Sequence, residues 1–439
     1  MSSNAPAATP PTPRPATGTF YGWWIVAAFA GVLAFVSTTL GFGAGLLVEP
    51  VRAEFGWSAF AVAAAFSLRT EAGAVMAPLA GAVIDRWGCR WALGAGLVCI
   101  AIGLVFLSQA GDLWTFYAAF VVLAVGQSTI GGQAASVSVA RWFVRKRNRA
   151  LAILWMGPGL GFVIIPFFGA LIAWFGWRNA SLLWVLVVFA SLPLVWVVRE
   201  SPEKYGDLPD GDLPDGARGA DGKSALSVAQ QAARARGASM TTGQAFRNGT
   251  FWRLGLVLAL TNFAAAPITQ LVIPSLTREG VDPALATFVG SALPLTYAIM
   301  RFGLAQWGDK VETRNLMAFC FGVQGIGILL LTMVSGGNVA LLAPFLLLFG
   351  IGFGIPVPLR GVVIADYFGV QSMGKIQGML QFLATIGGVL GPMVQGLAAD
   401  QFGGYRETYV LLAVCSLLSV PLMLSLPRTG HGPRGDSPA

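Results

Sequence analysis

The sequence predicts an all-α membrane protein: twelve transmembrane helices in two six-helix bundles related by a pseudo-twofold axis, the architecture that three observations below support. Apolar runs long enough to cross a bilayer recur along the whole chain, which is 55% hydrophobic and only 11% charged, where a soluble domain carries about 25% charged residues. The cations sort by membrane side. Landmarks at span ends recur about 225 residues apart. Asp85-Arg86 matches Asp309-Lys310, Arg141-Trp142-Phe143 matches Asp366-Tyr367-Phe368, and Phe175-Gly176 matches Phe402-Gly403. Two halves in the same orientation imply an axis along the membrane normal, and such halves can rock about a central site.

The chain opens with a tail over 1–19, rich in Pro, Ala, Ser and Thr, which reads as disordered and shows no cleavable signal. The N-terminal bundle covers 20–198. Span 1 runs from Tyr21 to Val48, with Tyr21, Trp23 and Trp24 at the interface, and a short outer loop follows over Glu49–Gly56. Span 2 is Trp57–Ile84, and a tight turn over Asp85–Arg90 leads to span 3, Trp91–Ala110. Span 4 is Leu113–Ala140. The stretch Ala140–Ala150 then holds five cations among eleven residues. It cannot lie in hydrocarbon and marks a cytoplasmic loop. Span 5 is Ala150–Phe175 and span 6 Asn179–Val198.

A polar linker occupies 199–250, with Gly-Asp-Leu-Pro-Asp at Gly206–Asp210 and again at Gly211–Asp215. Thr241 and Gln244 have capping-box spacing, consistent with either a short surface helix or plain linker. The C-terminal bundle covers 251–426: span 7 Phe251–Leu276, span 8 Pro283–Trp307, span 9 Asn315–Val334, span 10 Val339–Ala365, span 11 Lys375–Phe402 and span 12 Tyr405–Leu426. A polar tail over 427–439 closes the chain.

With these spans, 21 of the 28 Lys and Arg lie on one side, 4 on the other (Arg52, Arg178, Arg278, Arg406) and 3 within spans (Arg69, Arg301, Arg360). The bias places both tails in the cytoplasm of a bacterial inner membrane. It also removes nucleic acid as a reading of the net charge of +8. Cys89, Cys99, Cys320 and Cys415 have no metal spacing and read as small packing residues. A single histidine, His431, leaves little for a metal site, no phosphate loop suggests ATP, and no clustered constellation suggests an enzyme. Neither a metal nor any other cofactor is expected.

The turn after span 2, Gly81-x-x-x-Asp85-Arg86-x-Gly88-x-Arg90, resembles the signature of the major facilitator superfamily, and its degenerate echo keeps Gly308, Asp309 and Lys310. The resemblance covers essentially the whole chain. It implies that Asp85, Arg86, Arg90, Asp309, Lys310 and Arg141 act as gating residues, bridging helix ends on the cytoplasmic side and stabilising an outward-open state. A narrower resemblance rests on four features: the Arg-Trp-Phe loop before Gly157-Pro158-Gly159-Leu160-Gly161, the end of span 10 at Ala365-Asp366-Tyr367-Phe368-Gly369, Ser201-Pro202-Glu203, and Pro209-Asp210-Gly211. These look like the bacterial monocarboxylate-transporter and oxalate/formate-antiporter branch. That likeness implies a secondary transporter, monomeric, of a small organic anion, coupled to protons or to a counter-anion. The alternative of the same fold is an exporter of hydrophobic or cationic compounds.

A charge near the bilayer centre costs roughly 3 kcal/mol or more and needs a reason. Arg301 lies eight residues before Asp309, about 12 Å from that end of span 8. The resemblance implies a substrate-binding arginine there, and a guanidinium fork would suit a carboxylate. Tyr297, one turn earlier, stands where many relatives have Asp; Thr38–Gly43 stands where many have a Lys in span 1. Arg360 could snorkel, pair with Asp366 or contact substrate. Asn262, Gln270, Gln377 and Gln381 could line a cavity or hydrogen-bond between helices. Glu71, the one carboxylate well inside a span, suits proton coupling with Arg69 nearby, or else serves as a structural ion-pair partner. Pro158, Pro166, Pro267, Pro294, Pro356 and Pro392 can bend spans.

Overall fold

The computed structural model describes residues 20–36, 46–130, 132–205, 209–211, 240–307, 310–335, 338–402 and 405–428. The tail over 1–19, Thr38–Gly43, linker residues 206–208 and 212–239, Gly308, Asp309 and the tail from 429 with His431 lie outside them. Among the described residues nine segments are long and apolar enough to cross a membrane, by length and composition. The remaining three spans are the helices Tyr21–Val36 (span 1) and Ala59–Trp87 (span 2), and the broken span 5.

Span 3 is Cys89–Ser108, span 7 Gly249–Arg278, span 8 Pro283–Trp307, span 9 Thr313–Leu331, span 11 Met373–Phe402 and span 12 Arg406–Leu424. Three spans are not single regular helices. Span 4 is Leu113–Ile130 followed by Gln133–Trp142, with Gly132 at φ 91° between them. Span 5 begins as Arg147–Leu154 and resumes at Gly157, with Pro158 in its first turn. It continues in one run to Val197 that includes span 6, turned at Gly176, where φ is 76° and ψ 160°. Span 10 is Leu342–Gly354 and Pro356–Phe368. Proline explains two of these breaks. A Pro offers no N–H to the carbonyl four residues earlier and its ring crowds that carbonyl. Pro358 therefore frees the carbonyl of Gly354 and Pro158 crowds that of Leu154.

One expectation is corrected. The outer loop Glu49–Gly56 is largely helical, Val48–Phe55, closed by Gly56 at φ 69°. Its end is fixed by aromatics that a loop reading did not weigh. Phe55 stacks on Trp57 with ring centroids 4.3 Å apart, and Glu54 accepts from Trp177 Nε1 at 2.6 Å. Beyond the linker, Thr241 caps Thr242–Arg247 with the full capping box to Gln244.

Two buried apolar clusters hold the bundles together. The larger runs through the N-terminal half and across into spans 7, 10 and 11; the smaller lies in the C-terminal half around Ile268, Leu293, Phe345 and Tyr409. The halves meet along span 2 against span 11 and span 5 against spans 8 and 10. Gly81, Gly374 and Gly378 make the first of these contacts possible. A Cβ on Gly81 would strike the Gly374 carbonyl, and one on Gly378 would strike the Ala77 carbonyl. Without side chains the two backbones approach as small-residue membrane interfaces do.

Candidate functional site: a central cavity above a latched face

The face that carries the basic loop and the linker is drawn together by polar contacts between the halves. Asp85, at the end of span 2, accepts from the N–H groups of Gly374 and Lys375 at 2.9 Å each. Those donors open the span 11 helix, so the carboxylate caps a helix N-terminus, where negative charge is favoured. Across the same face Arg147 donates to Asp366 at 3.1 Å, and to the carbonyls of Phe143 at 3.1 Å and Ala140 at 3.0 Å. Asp210 of the linker, at φ 63°, accepts from the backbone N–H of Val144 at 3.1 Å, Arg145 at 2.8 Å and Lys146 at 3.2 Å. It is buried against the basic loop.

Of the expected gating residues, Asp85 is thus at the contact, with Arg141 near enough to act on its charge. Arg90 stacks over Trp196 at 4.4 Å, Arg86 and Lys310 are exposed, and Asp309 lies outside the described residues. Of the three roles open to Arg360, pairing with Asp366 is not the one the geometry shows among the described residues. Six residues on a helix is about one and two-thirds turns, which sends the two side chains to different sides, and Asp366 is taken by Arg147 instead. Arg360 Nε has no hydrogen-bond partner among the described residues.

A cavity of about 320 Å³ lies between spans 5, 7, 8 and 10. Arg301 sits at its end nearest the latched face, and Gly290, eleven residues earlier in span 8, lines it about 16 Å further toward the opposite face. The Arg301 guanidinium is buried and bound in an unforeseen way. Nε donates to the Gly354 carbonyl at 3.1 Å and Nη1 to the Trp155 carbonyl at 3.0 Å. These are carbonyls at the breaks of spans 10 and 5: Pro358 takes the helical partner from Gly354, and Trp155 lies just past the end of the short helix Arg147–Leu154. Helix C-termini carry partial negative charge and suit a cation. The expected guanidinium fork is thereby limited to its Nη1–Nη2 end. The Nε edge is spent on the protein, and Nη2 is the nitrogen without a protein partner among the described residues.

Tyr297 lines the same cavity one turn away. Its hydroxyl is buried with no hydrogen-bond partner among the described residues, and its ring packs on Phe353 with centroids 5.0 Å apart. Trp155 also lines the cavity, and its indole Nε1 is likewise buried and unpartnered. Thr269, Pro158, Gly159, Leu293 and Pro294 complete much of the wall.

The other polar candidates stand elsewhere. The cavity takes Thr269 and not its neighbour Gln270, which is exposed, because one residue turns about 100° around a helix. Asn262 donates to the Leu258 carbonyl of its own helix at 2.8 Å, and Gln381 reaches Thr385 at 3.4 Å. Arg69 donates to Gln127 of span 4 at 2.6 Å. Glu71 lines a separate groove of about 210 Å³ between spans 2 and 11, whose walls include Val75, Phe382 and Ile386. Among the described residues no cluster of His, Cys, Asp and Glu is arranged to hold a metal.

Sequence reasoning missed Trp155, Arg147 and Asp210. Arg147 was one of five cations in a loop, without a mark to single it out. The repeated Pro-Asp-Gly was the signal for Asp210, because that tripeptide favours a turn that presents the carboxylate.

A polytopic α-helical protein of two bundles, with a central cavity closed toward one face, is the class these features define. The Major Facilitator Superfamily model matches residues 27–279 and 262–439, and the chain belongs to that family. Its relatives are transporters and not enzymes. It is similar to "Monocarboxylate transporter 11" of Homo sapiens, 27% identical over 426 residues, covering 95% of this chain and 86% of the relative. It is also similar to "Oxalate:formate antiporter" of Oxalobacter formigenes, 22% identical over 421 residues and 94% of each chain. Among solved structures, the human organic anion transporter MFSD10 (TETRAN) superposes with a TM-score of 0.69 at 19% identity, over 92% of this chain and all of that one. The proton:xylose symporter XylE superposes with a TM-score of 0.71 at 16% identity, over 94% and 97%. At these identities the likeness to solved structures speaks to the fold alone.

Proposed function

We propose that the chain is a secondary active transporter of a small organic anion, monocarboxylate-like, working by alternating access. The carrying observation is the cation at the closed end of the cavity. Arg301 lines the cavity with Nε and Nη1 held by carbonyls, beside Tyr297, whose buried hydroxyl has no hydrogen-bond partner among the described residues. A buried donor set of this kind is costly to leave unmet, and an anionic ligand meets it. The names of the relatives, monocarboxylate transporters and an oxalate:formate antiporter, support the same substrate class. Arg360, with an unpartnered Nε deeper toward the latched face, is the second cation the anion meets on the way through.

The basic loop and linker lie in the cytoplasm of a bacterial inner membrane, by the cation bias, and the protein acts as a monomer. The latched state is therefore the outward-facing one, and release to the cytoplasm requires the Asp85 and Arg147 contacts to part. Glu71 is the proton-coupling group in this reading, with Arg69 held beside it on span 2; exchange against a second anion is the other mode of drive.

A second reading rests on the Glu71 groove. A carboxylate in apolar walls fits a lipophilic cation, as in an exporter. Both are tested by uptake into proteoliposomes of labelled formate, pyruvate, benzoate and oxalate, and of a labelled lipophilic cation, with and without an inward proton gradient. Saturable carboxylate uptake that Arg301→Ala abolishes is the expected result. Gradient dependence lost in Glu71→Gln assigns the coupling; cation transport with no carboxylate uptake would favour the exporter.

A further inference from the structure

We infer that Trp155 is a substrate-contacting residue, the donor contributed by the N-terminal half, and that the occupant it selects is a monocarboxylate with an apolar body. The inference rests on the anion reading above and deepens it. Two nitrogens of Arg301 are committed to backbone carbonyls, which leaves the guanidinium unable to grip a carboxylate by its Nε edge. A carboxylate offers about four acceptor positions and must find the rest of its donors elsewhere. Two of the residues lining this cavity carry a buried side-chain donor with no hydrogen-bond partner among the described residues, Tyr297 Oη and Trp155 Nε1. They stand on opposite halves, on span 8 and at the break of span 5.

The break itself holds the indole. Gly132, at φ 91°, leaves no Cβ where the six-membered ring of Trp155 lies, so the ring is seated against span 4. The same residue gives its carbonyl to Arg301 and its side chain to the cavity, so an anion bound there is held by both halves at once. That places the ligand at the contact whose rearrangement alternating access requires.

The class of ligand follows from the walls. Arg301 is the charged group among the described lining residues, and Leu293, Pro294 and Phe353 form apolar surface beside it. One negative charge is compensated there. A second carboxylate would face apolar surface without a partner, whereas an alkyl or aryl body gains from it.

The test is uptake by full-length protein in proteoliposomes. The substrates are labelled formate, pyruvate, butyrate and benzoate against oxalate and malonate; the proteins are wild type, Arg301→Ala, Trp155→Phe and Tyr297→Phe. Trp155→Phe keeps a ring and removes the N–H. We expect monocarboxylates to be carried in preference to dicarboxylates. In Trp155→Phe and in Tyr297→Phe, KM should rise about tenfold or more while Vmax holds within about twofold, as the loss of one hydrogen bond to a charged group implies. The melting temperature of the purified variants is followed alongside, and a KM rise at unchanged melting separates contact from packing. An unchanged KM in Trp155→Phe, with uptake lost in Arg301→Ala, would overturn this inference and leave the anion reading standing. Preference for oxalate would overturn the ligand class. No carboxylate uptake by folded wild type would remove both readings together.

Discussion

The latched face and the cavity are built from the same kinds of groups and differ in whether those groups are satisfied. At the face, the Asp85 carboxylate meets two N–H donors, Asp210 meets three, and Arg147 is shared among Asp366 and two carbonyls. In the cavity, Arg301 is anchored by two carbonyls, but Tyr297 Oη and Trp155 Nε1 have no hydrogen-bond partner among the described residues. Satisfied buried polar groups hold a conformation, and unsatisfied ones are completed by something that arrives. The contrast separates the residues that set the state of the protein from those that meet its ligand.

The largest expected break in that contrast comes from backbone approach. Gly81→Val puts a side chain into the Gly374 backbone and should keep the halves from closing on the linker face. Uptake should fall about a hundredfold, with a cysteine introduced at Arg86 on the linker face gaining reactivity toward a membrane-impermeant maleimide presented from that side. Next is the Arg147–Asp366 pair. Removing either partner leaves a buried charge, at a cost of about 3–5 kcal/mol. Arg147→Ala and Asp366→Ala should each lower the melting temperature, and the double variant should lose less than the two single losses added, read as a thermal-melt double-mutant cycle. Asp210→Ala removes the acceptor for three N–H groups and should weaken the latch by about 1–3 kcal/mol. It should raise accessibility at the face while leaving the affinity of the cavity for a carboxylate within about threefold.

The smallest effect is a pH dependence at the opposite face. Arg178, hydrogen-bonded to Glu54 at 2.9 Å, holds that carboxyl below its usual range, with Trp177 adding to the effect. A folded-state value below the unfolded one contributes stability that is present above the unfolded pKa and lost as pH falls through the folded one. Melting should therefore drop on acidification below about pH 4.5, and Glu54→Gln should flatten that drop. The group is largely solvated, so salt should shrink the effect.

Much of the fold was legible in the sequence because membrane spans announce themselves by hydropathy and the duplication by repeated charges at span ends. Arg301 was legible too, since a guanidinium in an apolar run demands a purpose. What it touches was not. Its partners are carbonyls 53 and 146 residues away in sequence, at the backbone breaks of spans 10 and 5, and a single sequence gives no sign that the two breaks meet. Trp155 read as one more apolar residue among 14 tryptophans. Asp210 stands in one of two Pro-Asp-Gly repeats of the linker, and nothing in the sequence marks which of the two acids is buried. The outer segment Glu49–Gly56 read as a loop on its Pro and charges, and tertiary contacts from Trp177 and Arg178 made it a helix end.

The most direct measurement is equilibrium binding of a labelled monocarboxylate, benzoate or pyruvate, to detergent-purified wild type, Arg301→Lys and Asp210→Ala. Lysine keeps the charge but carries it on one compact ammonium, without the planar fork that spans the two carbonyls and a ligand. The account predicts that saturable binding is lost, or weakened at least about tenfold, in Arg301→Lys and retained within about threefold in Asp210→Ala. Wild-type affinity in Arg301→Lys, or loss of binding confined to Asp210→Ala, would contradict the division between cavity and latch.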